Sequence, residues 1–341
     1  MKKLTVAVVG ALGAVGTEML RTLEKSSLPL QEIVPLDIAA HQGKTVSFRN
    51  QLLTVKTAEP GAFRSIDIAL FSAGEQASLA LAQVAVAEGA VVIDNSNAWR
   101  MDPAVPLVVP EVNPQAAGEH RGIIANPNCS TIQMLVALKP LHDRFKIKRI
   151  VVATYQAVSG TGLPAIRELS SQAKDCLAGK TVTPAVYPHQ IAFNCLPHID
   201  TFLKNGYTKE EMKMFHETRK ILGDPNILVT ATAVRVPVFR CHSEALNIET
   251  ENALPSVEAV RELLREAPGV EVVDDVGNNL YPLASLSAGA DKVAVGRIRQ
   301  DFSVPNGLNL WVVGDNLRKG AALNAVQIAE LLVEKNWLKR E

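Results

Sequence analysis

Cys129 is the side chain with the greatest chemical reach in this sequence. It ends the segment Ala125-Asn126-Pro127-Asn128 and opens an apolar helical run through Ile132, Leu135, Val136 and Leu138. A thiol at a helix N-terminus faces free N–H groups and the positive end of the helix dipole. Both favour the thiolate, the form that attacks an acyl carbon. A small, buried, inert thiol is the competing account of the same position. Cys176, Cys195 and Cys241 lack such a setting, and no CxxC or CxxCH spacing occurs. That excludes a zinc ribbon, makes a disulfide framework improbable and leaves no metal site to expect.

A thiolate nucleophile needs a base. His41, His120, His142, His189, His198 and His216 sit amid polar sequence and read as solvated. His242 differs, because it follows the apolar run Val234 to Phe239, which contains Arg235. An arginine and a histidine near a strand end can share a cleft, one clamping a carboxylate and the other moving a proton. A buried histidine with both nitrogens satisfied fits the same spacing.

A second chemistry stands at the N-terminus. Leu4-Thr5-Val6-Ala7-Val8-Val9 is a largely apolar run rich in β-branched residues, the pattern of a strand covered on both faces. It ends at Gly10-Ala11-Leu12-Gly13-Ala14-Val15-Gly16, after which Thr17 to Glu24 has helical spacing. Glycines in a strand–turn–helix let the backbone approach a pyrophosphate held at the helix N-terminus; a tight structural turn is the alternative. Asp37 lies about 20 residues further on, where an acidic side chain bonds the ribose 2′-hydroxyl, favouring NAD over NADP. A solvated loop aspartate would look the same.

The elements that must carry these groups form two α/β halves. Strands at Glu32–Leu36, Asp67–Ser72 and Val91–Asp94, with a helix at Glu75–Glu88, predict a doubly wound, Rossmann-like parallel sheet over residues 1–127. From residue 128 to 319 the texture changes. A helix at Ser130–Leu138 precedes strands at Arg149–Tyr155, Ile227–Val234, Glu244–Glu249, Arg297–Gln300 and Leu308–Val313, with helices at Glu210–Ile221 and Ser256–Glu266. That succession predicts an α+β domain with a mixed sheet, one face of which could meet a second subunit. An amphipathic helix at Gly320–Glu334, within 320–341, is expected to pack back on the first domain.

The length of 341 residues is enough for about two domains. Lys+Arg and Asp+Glu balance at 35 each, so neither nucleic acid nor a membrane surface is an expected partner. No apolar stretch reaches the roughly 18 residues of a membrane span; Ala69 to Ile93 is broken by Glu75, Gln76, Gln83 and Glu88. Met1-Lys2-Lys3 leads straight into the first strand, so no secretion signal is read and a reducing cytoplasm is the expected location.

Further segments sharpen the picture: Asp94-Asn95-Ser96 with Arg100, Val108-Val109-Pro110-Glu111-Val112-Asn113, Thr154-Tyr155-Gln156-Ala157-Val158-Ser159-Gly160, His242-Ser243-Glu244 and Gly314-Asp315-Asn316-Leu317-Arg318-Lys319-Gly320. With the glycine turn and the Asn-Pro-Asn-Cys segment, they make nearly the whole chain resemble the aspartate-semialdehyde dehydrogenase family. The resemblance implies reduction of L-4-aspartyl phosphate to L-aspartate 4-semialdehyde with NADPH and release of phosphate, on the route to lysine, threonine and methionine. It implies a dinucleotide domain followed by a catalytic and dimerisation domain, in a homodimer.

Residue by residue, the resemblance makes Cys129 the nucleophile that forms an acyl-thioester, His242 the acid/base and Gln156 the group that orients the acyl carbon. Arg235 would grip the substrate carboxylate and Glu210 its ammonium, Arg100 and Lys213 the phosphate, with Asn128 also at the substrate. On spacing alone, Glu210 and Lys213 would read as a surface ion pair. Gly10, Leu12, Gly13, Ala14, Val15, Gly16, Asp37, Ala40, His41, Ser159, Gly160 and Asn316 would line the cofactor.

Two departures stand out. Leu12 replaces a threonine usual in the family's glycine turn. Leu36-Asp37-Ile38-Ala39-Ala40-His41-Gln42-Gly43-Lys44 has Ala40 where an arginine usually meets the 2′-phosphate, and Asp37 would repel that phosphate. NADP is thus the family default, with NAD used comparably or better as the expectation here. The rivals are an N-acetylglutamyl-phosphate reductase, whose usual Asn-Pro-Gly-Cys-Tyr differs at Asn128 and Ser130, and a non-catalytic relative, which would lose the cysteine.

Overall fold

The structure, a computed structural model, describes residues 3–254 and 256–338. The chain forms two compact units: one extends to Asn128 and resumes at Ala321, and the other is Cys129–Gly320.

The first unit begins with β1 (Leu4–Val9), α1 (Ala14–Glu24) and β2 (Leu30–Asp37). A hairpin of β3 (Thr45–Phe48) and β4 (Gln51–Thr54) and a short β5 (Lys56–Thr57) follow. Then come β6 (Ile68–Phe71), α2 (Glu75–Ala87), β7 (Val91–Asp94) and β8 (Ile123–Ala125). The parallel sheet runs β5-β2-β1-β6-β7-β8. The order reverses beside β1, and ligands of such sheets bind at that switch point.

Helix α1 starts earlier than the Thr17 that the spacing predicts, because extended Gly13 serves as its N-cap and Gly16 lies inside the first turn. A Cβ on Gly16 would stand 2.1 Å from the Gly10 carbonyl oxygen, so loop and helix touch backbone to backbone. The β3–β4 hairpin was not expected from the sequence. Its turn residues Arg49 and Asn50 have φ of 48° and 63°, the left-handed pair a two-residue hairpin needs, without the glycine that usually signals it. His120, expected to be solvated, is buried and bonds the Trp337 carbonyl and the Gly122 N–H.

The second unit opens with α3 (Cys129–Phe145), β9 (Ile147–Gln156), α4 (Leu163–Leu177) and α5 (Lys209–Leu222). Next are β10 (Leu228–Arg235), β11 (His242–Thr250), α6 (Val257–Arg265) and β12 (Val270–Val272). The short α7 (Ala284–Ser287), β13 (Val293–Asp301) and β14 (Gly307–Gly314) complete it. Its sheet has the order β10-β9-β11-β14-β13-β12. β9–β10 and β12–β13 are parallel and the other pairs antiparallel, so the sheet is mixed.

Helix α4 has no counterpart in the sequence reading. Gly160-Thr161-Gly162-Leu163-Pro164 looks like a loop, but Pro164 occupies the first turn, where its missing N–H is harmless. Along β11, His242, Glu244, Leu246 and Ile248 share the buried face, which α3 covers. On the opposite face, Ala245 and Asn247 are half-buried, and the Tyr155 and Trp311 rings pack 5.4 Å apart.

After β14 a π-helical turn, Arg318–Ala322, leads into α8 (Leu323–Glu334). This helix belongs to the first unit. Val326, Ile328, Ala329 and Leu332 join Val6, Val8, Met19 and Leu23 in one core.

Candidate active site

Cys129 is the first residue of α3 and is half-buried. Gly320 lies against it: a Cβ built there would be 2.9 Å from Cys129 Cβ. Gln133, one helical turn further along α3 on the same face, donates from Nε2 to the His242 carbonyl at 3.2 Å. It has room because Gly314, paired with His242 across β11–β14, has no side chain; a Cβ there would meet Gln133 Oε1 at 2.7 Å. The helix that carries the thiol is thereby bonded to the strand that carries the imidazole.

His242 is fully buried. Its Nδ1 accepts the Ala157 N–H at 3.0 Å, so in the neutral ring the proton resides on Nε2, which has no protein partner. Burial, reinforced by the Arg235 charge, pushes the imidazole down to about 3. Nε2 lies over the bare Cα of Gly160, where a Cβ would come within 3.3 Å of it and within 3.0 Å of Arg235 Nη1. Arg235 and His242, separate in sequence, thus converge on one glycine. Arg235 Nη1 also donates to the Ala157 carbonyl at 2.7 Å, while its Nε is left without a partner. Its guanidinium sits 5.9 Å from the Tyr187 ring centre.

At the end of β9, Gln156 Nε2 donates to Glu210 Oε1 at 3.2 Å and to Thr154 Oγ1 at 3.3 Å. The other Glu210 oxygen receives Lys213 Nζ at 3.1 Å, and Lys213 also bonds Asp200 Oδ2 at 2.8 Å. Glu210 is buried, so this is no surface ion pair. Burial alone would depress Lys213, but the Glu210 and Asp200 carboxylates outweigh it and hold the ammonium above its ordinary value. The helix bearing both residues is fixed by a reciprocal cap between Thr208 and Glu211.

Ser159 and Asn316 bond each other at 2.9–3.0 Å, and Asn316 Oδ1 also accepts the Cys241 N–H at 3.0 Å. That holds Cys241 at φ 74°, immediately before His242. Buried beside Asp315, the Cys241 thiol is pushed up to about 12 and is no candidate nucleophile.

The first unit has its own site at the sheet's switch point. Gly10 adopts φ +84°, and a Cβ there would strike the Ser72 carbonyl oxygen at 2.5 Å. No side chain caps α1, so its N-terminal N–H groups remain for an anion, and the bare Gly10, Gly13 and Gly16 with Leu12, Ala14 and Val15 form a cradle that fits a dinucleotide. Asp37 is not a solvated loop residue. Its carboxylate accepts the N–H of Leu12 at 3.0 Å and of Ile38 at 2.8 Å, and meets His41 Nδ1 at 2.9 Å. Burial opposes ionisation, but these bonds outweigh it and hold the carboxyl below its ordinary range. Ala40 sits in the short turn Ala39–His41 that follows.

Arg100, also in the first unit, is buried and donates from Nε to the Asn126 carbonyl at 2.9 Å and from Nη2 to the Asn95 carbonyl at 2.8 Å. Asn128 is buried as well. Asn126, in the same motif, is a clasp between its Nδ2 bond to Asn95 and the Asn324 amide of α8. Among the described residues, no group of three or more His, Cys, Asp or Glu side chains is placed to hold a metal ion.

Gln133, Asp200 and Tyr187 escaped the sequence reading, since nothing local marks a residue that supports another from a distant segment; Thr154 lay in a recognised motif without an assigned purpose. Gly320 stood inside a recognised motif but had no assigned purpose.

Two domain models match the chain: the semialdehyde dehydrogenase NAD-binding domain over residues 5–120 and the semialdehyde dehydrogenase dimerisation domain over 138–319. Fold and site together thus define a two-domain semialdehyde dehydrogenase, an oxidoreductase that works with NAD(P). Aspartate-semialdehyde dehydrogenase of Aquifex aeolicus is 55% identical, covering 98% of this chain and 99% of its own. That of Bacillus subtilis is 50% identical, covering 98% of each. The crystal structure of Vibrio cholerae aspartate semialdehyde dehydrogenase II complexed with ASA superposes with a TM-score of 0.95 at 49% identity, covering 98% of this chain and 99% of that one. A Candida albicans aspartate semialdehyde dehydrogenase with NADP gives 0.78 at 26%, covering 98% and 100%. The chain belongs to the aspartate-semialdehyde dehydrogenase family.

Proposed function

We propose that this enzyme interconverts L-4-aspartyl phosphate and L-aspartate 4-semialdehyde, with uptake or release of phosphate, in the biosynthesis of lysine, threonine and methionine. Residues to 127, with the 320–341 segment, serve as the dinucleotide-binding domain, and 128–319 as the catalytic and dimerisation domain.

The Cys129 thiolate attacks the acyl carbon. A C–S bond forms, the C–O bond to phosphate breaks, and phosphate departs with the electron pair of that bond. Lys213, held as a cation by its carboxylates, and Arg100 are the phosphate ligands. Arg235 takes the substrate α-carboxylate through its unpartnered Nε edge, and Glu210 takes the ammonium. These contacts lie away from the reacting carbon and position it. Gln156, tied to Glu210, orients the acyl group, and Asn128 completes the substrate contacts. When bound, the nicotinamide supplies the hydride that brings the thioester to the aldehyde level. His242 acts through Nε2, since Nδ1 is occupied. It holds or moves a proton at the oxygen of the reacting carbon as the C–S bond breaks and Cys129 is released. Ser159, Gly160 and Asn316 adjoin this centre as cofactor contacts.

The observation that carries this reading is the Gln133 bond between the Cys129 helix and the His242 strand, which gives nucleophile and proton carrier a common anchor. The test is phosphate-dependent reduction of NADP and NAD by the enzyme given aspartate semialdehyde, with mass spectrometry of trapped turnover mixtures. An acyl adduct on Cys129, absent in Cys129→Ala together with activity, is the expected result. An adduct on another side chain, or turnover that ignores phosphate, would overturn it.

The half-exposed face of the second-unit sheet, with Tyr155 and Trp311, supports a homodimer through that face. Among the described residues no helix is long and apolar enough to cross a membrane; four cysteines that lie far apart in sequence with no CxxC spacing support a cytoplasmic location. Asp37 and Ala40 support comparable or better use of NAD. The buried Asp37 carboxylate keeps a negative charge at the end of β2, and Ala40 supplies no cation to meet a 2′-phosphate. A hundredfold preference for NADP in kcat/KM would end that reading.

A further inference from the structure

Asn324, the second residue of α8, is fully buried, and no step described above uses it. Its Nδ2 has two hydrogens: one goes to the Val108 carbonyl at 3.0 Å, the other to Asn126 Oδ1 at 2.7 Å. With its oxygen turned to Asn324, the Asn126 amide presents Nδ2 to Asn95 Oδ1 at 2.9 Å. Asn95 Nδ2 in turn donates to the Phe71 carbonyl at 3.0 Å. Both ends of this chain are backbone carbonyls, which only accept. Reversing any one amide would therefore set acceptor against acceptor or donor against donor. The residues that supply the middle of the chain also hold Arg100. The Asn126 carbonyl accepts Arg100 Nε at 2.9 Å, and the Asn95 carbonyl accepts Nη2 at 2.8 Å. A guanidinium is planar and rigid, so two bonds along one edge fix the plane of the whole group. Asn95 and Asn126 lie just beyond the last register pair of β7 and β8, Asp94 with Ala125. There the Asn126 N–H bond to the Asp94 carbonyl, 2.8 Å, and the bond between the two side-chain amides keep the carbonyls in place.

We propose that Asn324 is a positioning residue for phosphate: through Asn126 and Asn95 it sets the pair of carbonyls that holds the Arg100 guanidinium ready for the anion. This rests on the reading of Arg100 as a phosphate ligand given above. A cation fixed before the anion arrives has little rotamer freedom left to lose on binding, so the relay strengthens phosphate binding without touching phosphate. Its action is confined to the anion. Asn324, Asn126, Asn95 and Arg100 all belong to the first unit, whereas Arg235 and Glu210, assigned to the carboxylate and ammonium of the semialdehyde, belong to the second.

The test is steady-state kinetics of the full-length enzyme in the oxidative direction, with inorganic phosphate and aspartate semialdehyde varied in turn. Asn324→Ala is expected to raise the KM for phosphate about three- to tenfold, with kcat and the KM for semialdehyde within about twofold. Arg100→Ala should raise the phosphate KM further, on the order of 10- to 100-fold. In that background Asn324→Ala should add nothing, because the group it positions is gone. Should Asn324→Ala fail to fold, Asn95→Ala cuts the chain at its half-buried end and should show the same phosphate-selective rise. An unchanged phosphate KM in the folded variant, an equal rise in both KM values, or effects that multiply in the double variant would overturn the positioning role. A phosphate KM that ignores Arg100→Ala would overturn the reading of Arg100 and the inference with it; a rise there with none in Asn324→Ala ends the inference alone.

Discussion

Replacing Gly320 with alanine isolates the demand that Cys129 places on its surroundings. Gly320 does not have a left-handed backbone, so the constraint is space alone. The added Cβ would lie 2.9 Å from Cys129 Cβ and 3.4 Å from its Cα. Carbon pairs rest at about 3.5–4.0 Å, so Cys129 must retreat by roughly 0.5–1 Å. The neighbour is the start of a helix rather than the tip of a flexible chain, so α3 must shift or bend there. Overpacking of this kind destabilises by about 1–3 kcal/mol, and for an enzyme of this size a Tm fall of only a few degrees corresponds to it. An ångström of misplacement at a nucleophile lowers the rate by about 100-fold. The expected pattern is therefore a folded Gly320→Ala enzyme with kcat reduced 10- to 100-fold, substrate KM nearly unchanged, and slower alkylation of Cys129 by a thiol reagent. Wild-type kcat and alkylation rate together would refute the argument, because they would mean the contact is not there.

Ala40→Arg restores a cation beside the glycine turn and should raise the NADP-to-NAD ratio of kcat/KM by roughly tenfold or more; steady-state kinetics with both cofactors decides it. His242 has a folded value of about 3 against 6.5 in the unfolded chain, so its stabilising contribution is complete above pH 6.5 and is lost as pH falls toward 3. Urea unfolding should show up to about 1.4 kcal/mol per pH unit in that window, a slope that His242→Gln removes. Glu244, with its raised value, acts in the opposite sense: its contribution is complete below pH 4.5 and declines as pH rises toward its folded value. The two slopes must therefore be separated by the single variants.

Much of this architecture was legible because periodicity records burial. β1 is apolar except at Thr5 and is buried over Val6–Val9; β7 coincides with Val91–Asp94 as predicted. The nucleophile candidate was legible for a local reason, since a turn followed by an apolar helix puts Cys129 at a helix start. Arg235 and His242 were only weakly paired by spacing. What brings them together is the return of the chain from β10 to β11 past Gly160, a contact between distant segments that leaves no periodic trace. Asp37 was found at its strand end, but its bonds to Leu12 and Ile38 were not foreseeable, because backbone donors carry no residue identity. Helix α4 was missed because its opening glycines and proline resemble a loop. Asp200, at φ 69°, was missed because nothing near it in sequence points to Lys213.

Placing α8 in the core of the first unit has a consequence for biogenesis. The N-terminal strands emerge early from the ribosome, yet Val326, Ile328 and Leu332, which cover part of their surface, are made last. Between them lies the whole of Cys129–Gly320, whose translation at about 5–20 residues per second takes roughly 10–40 seconds. During that interval the nascent N-terminal sheet carries an uncovered apolar patch, whereas the middle segment has its full complement of partners. Vectorial synthesis therefore favours completion of the interior unit first and leaves the nucleotide-binding half open to chaperones until translation is almost over.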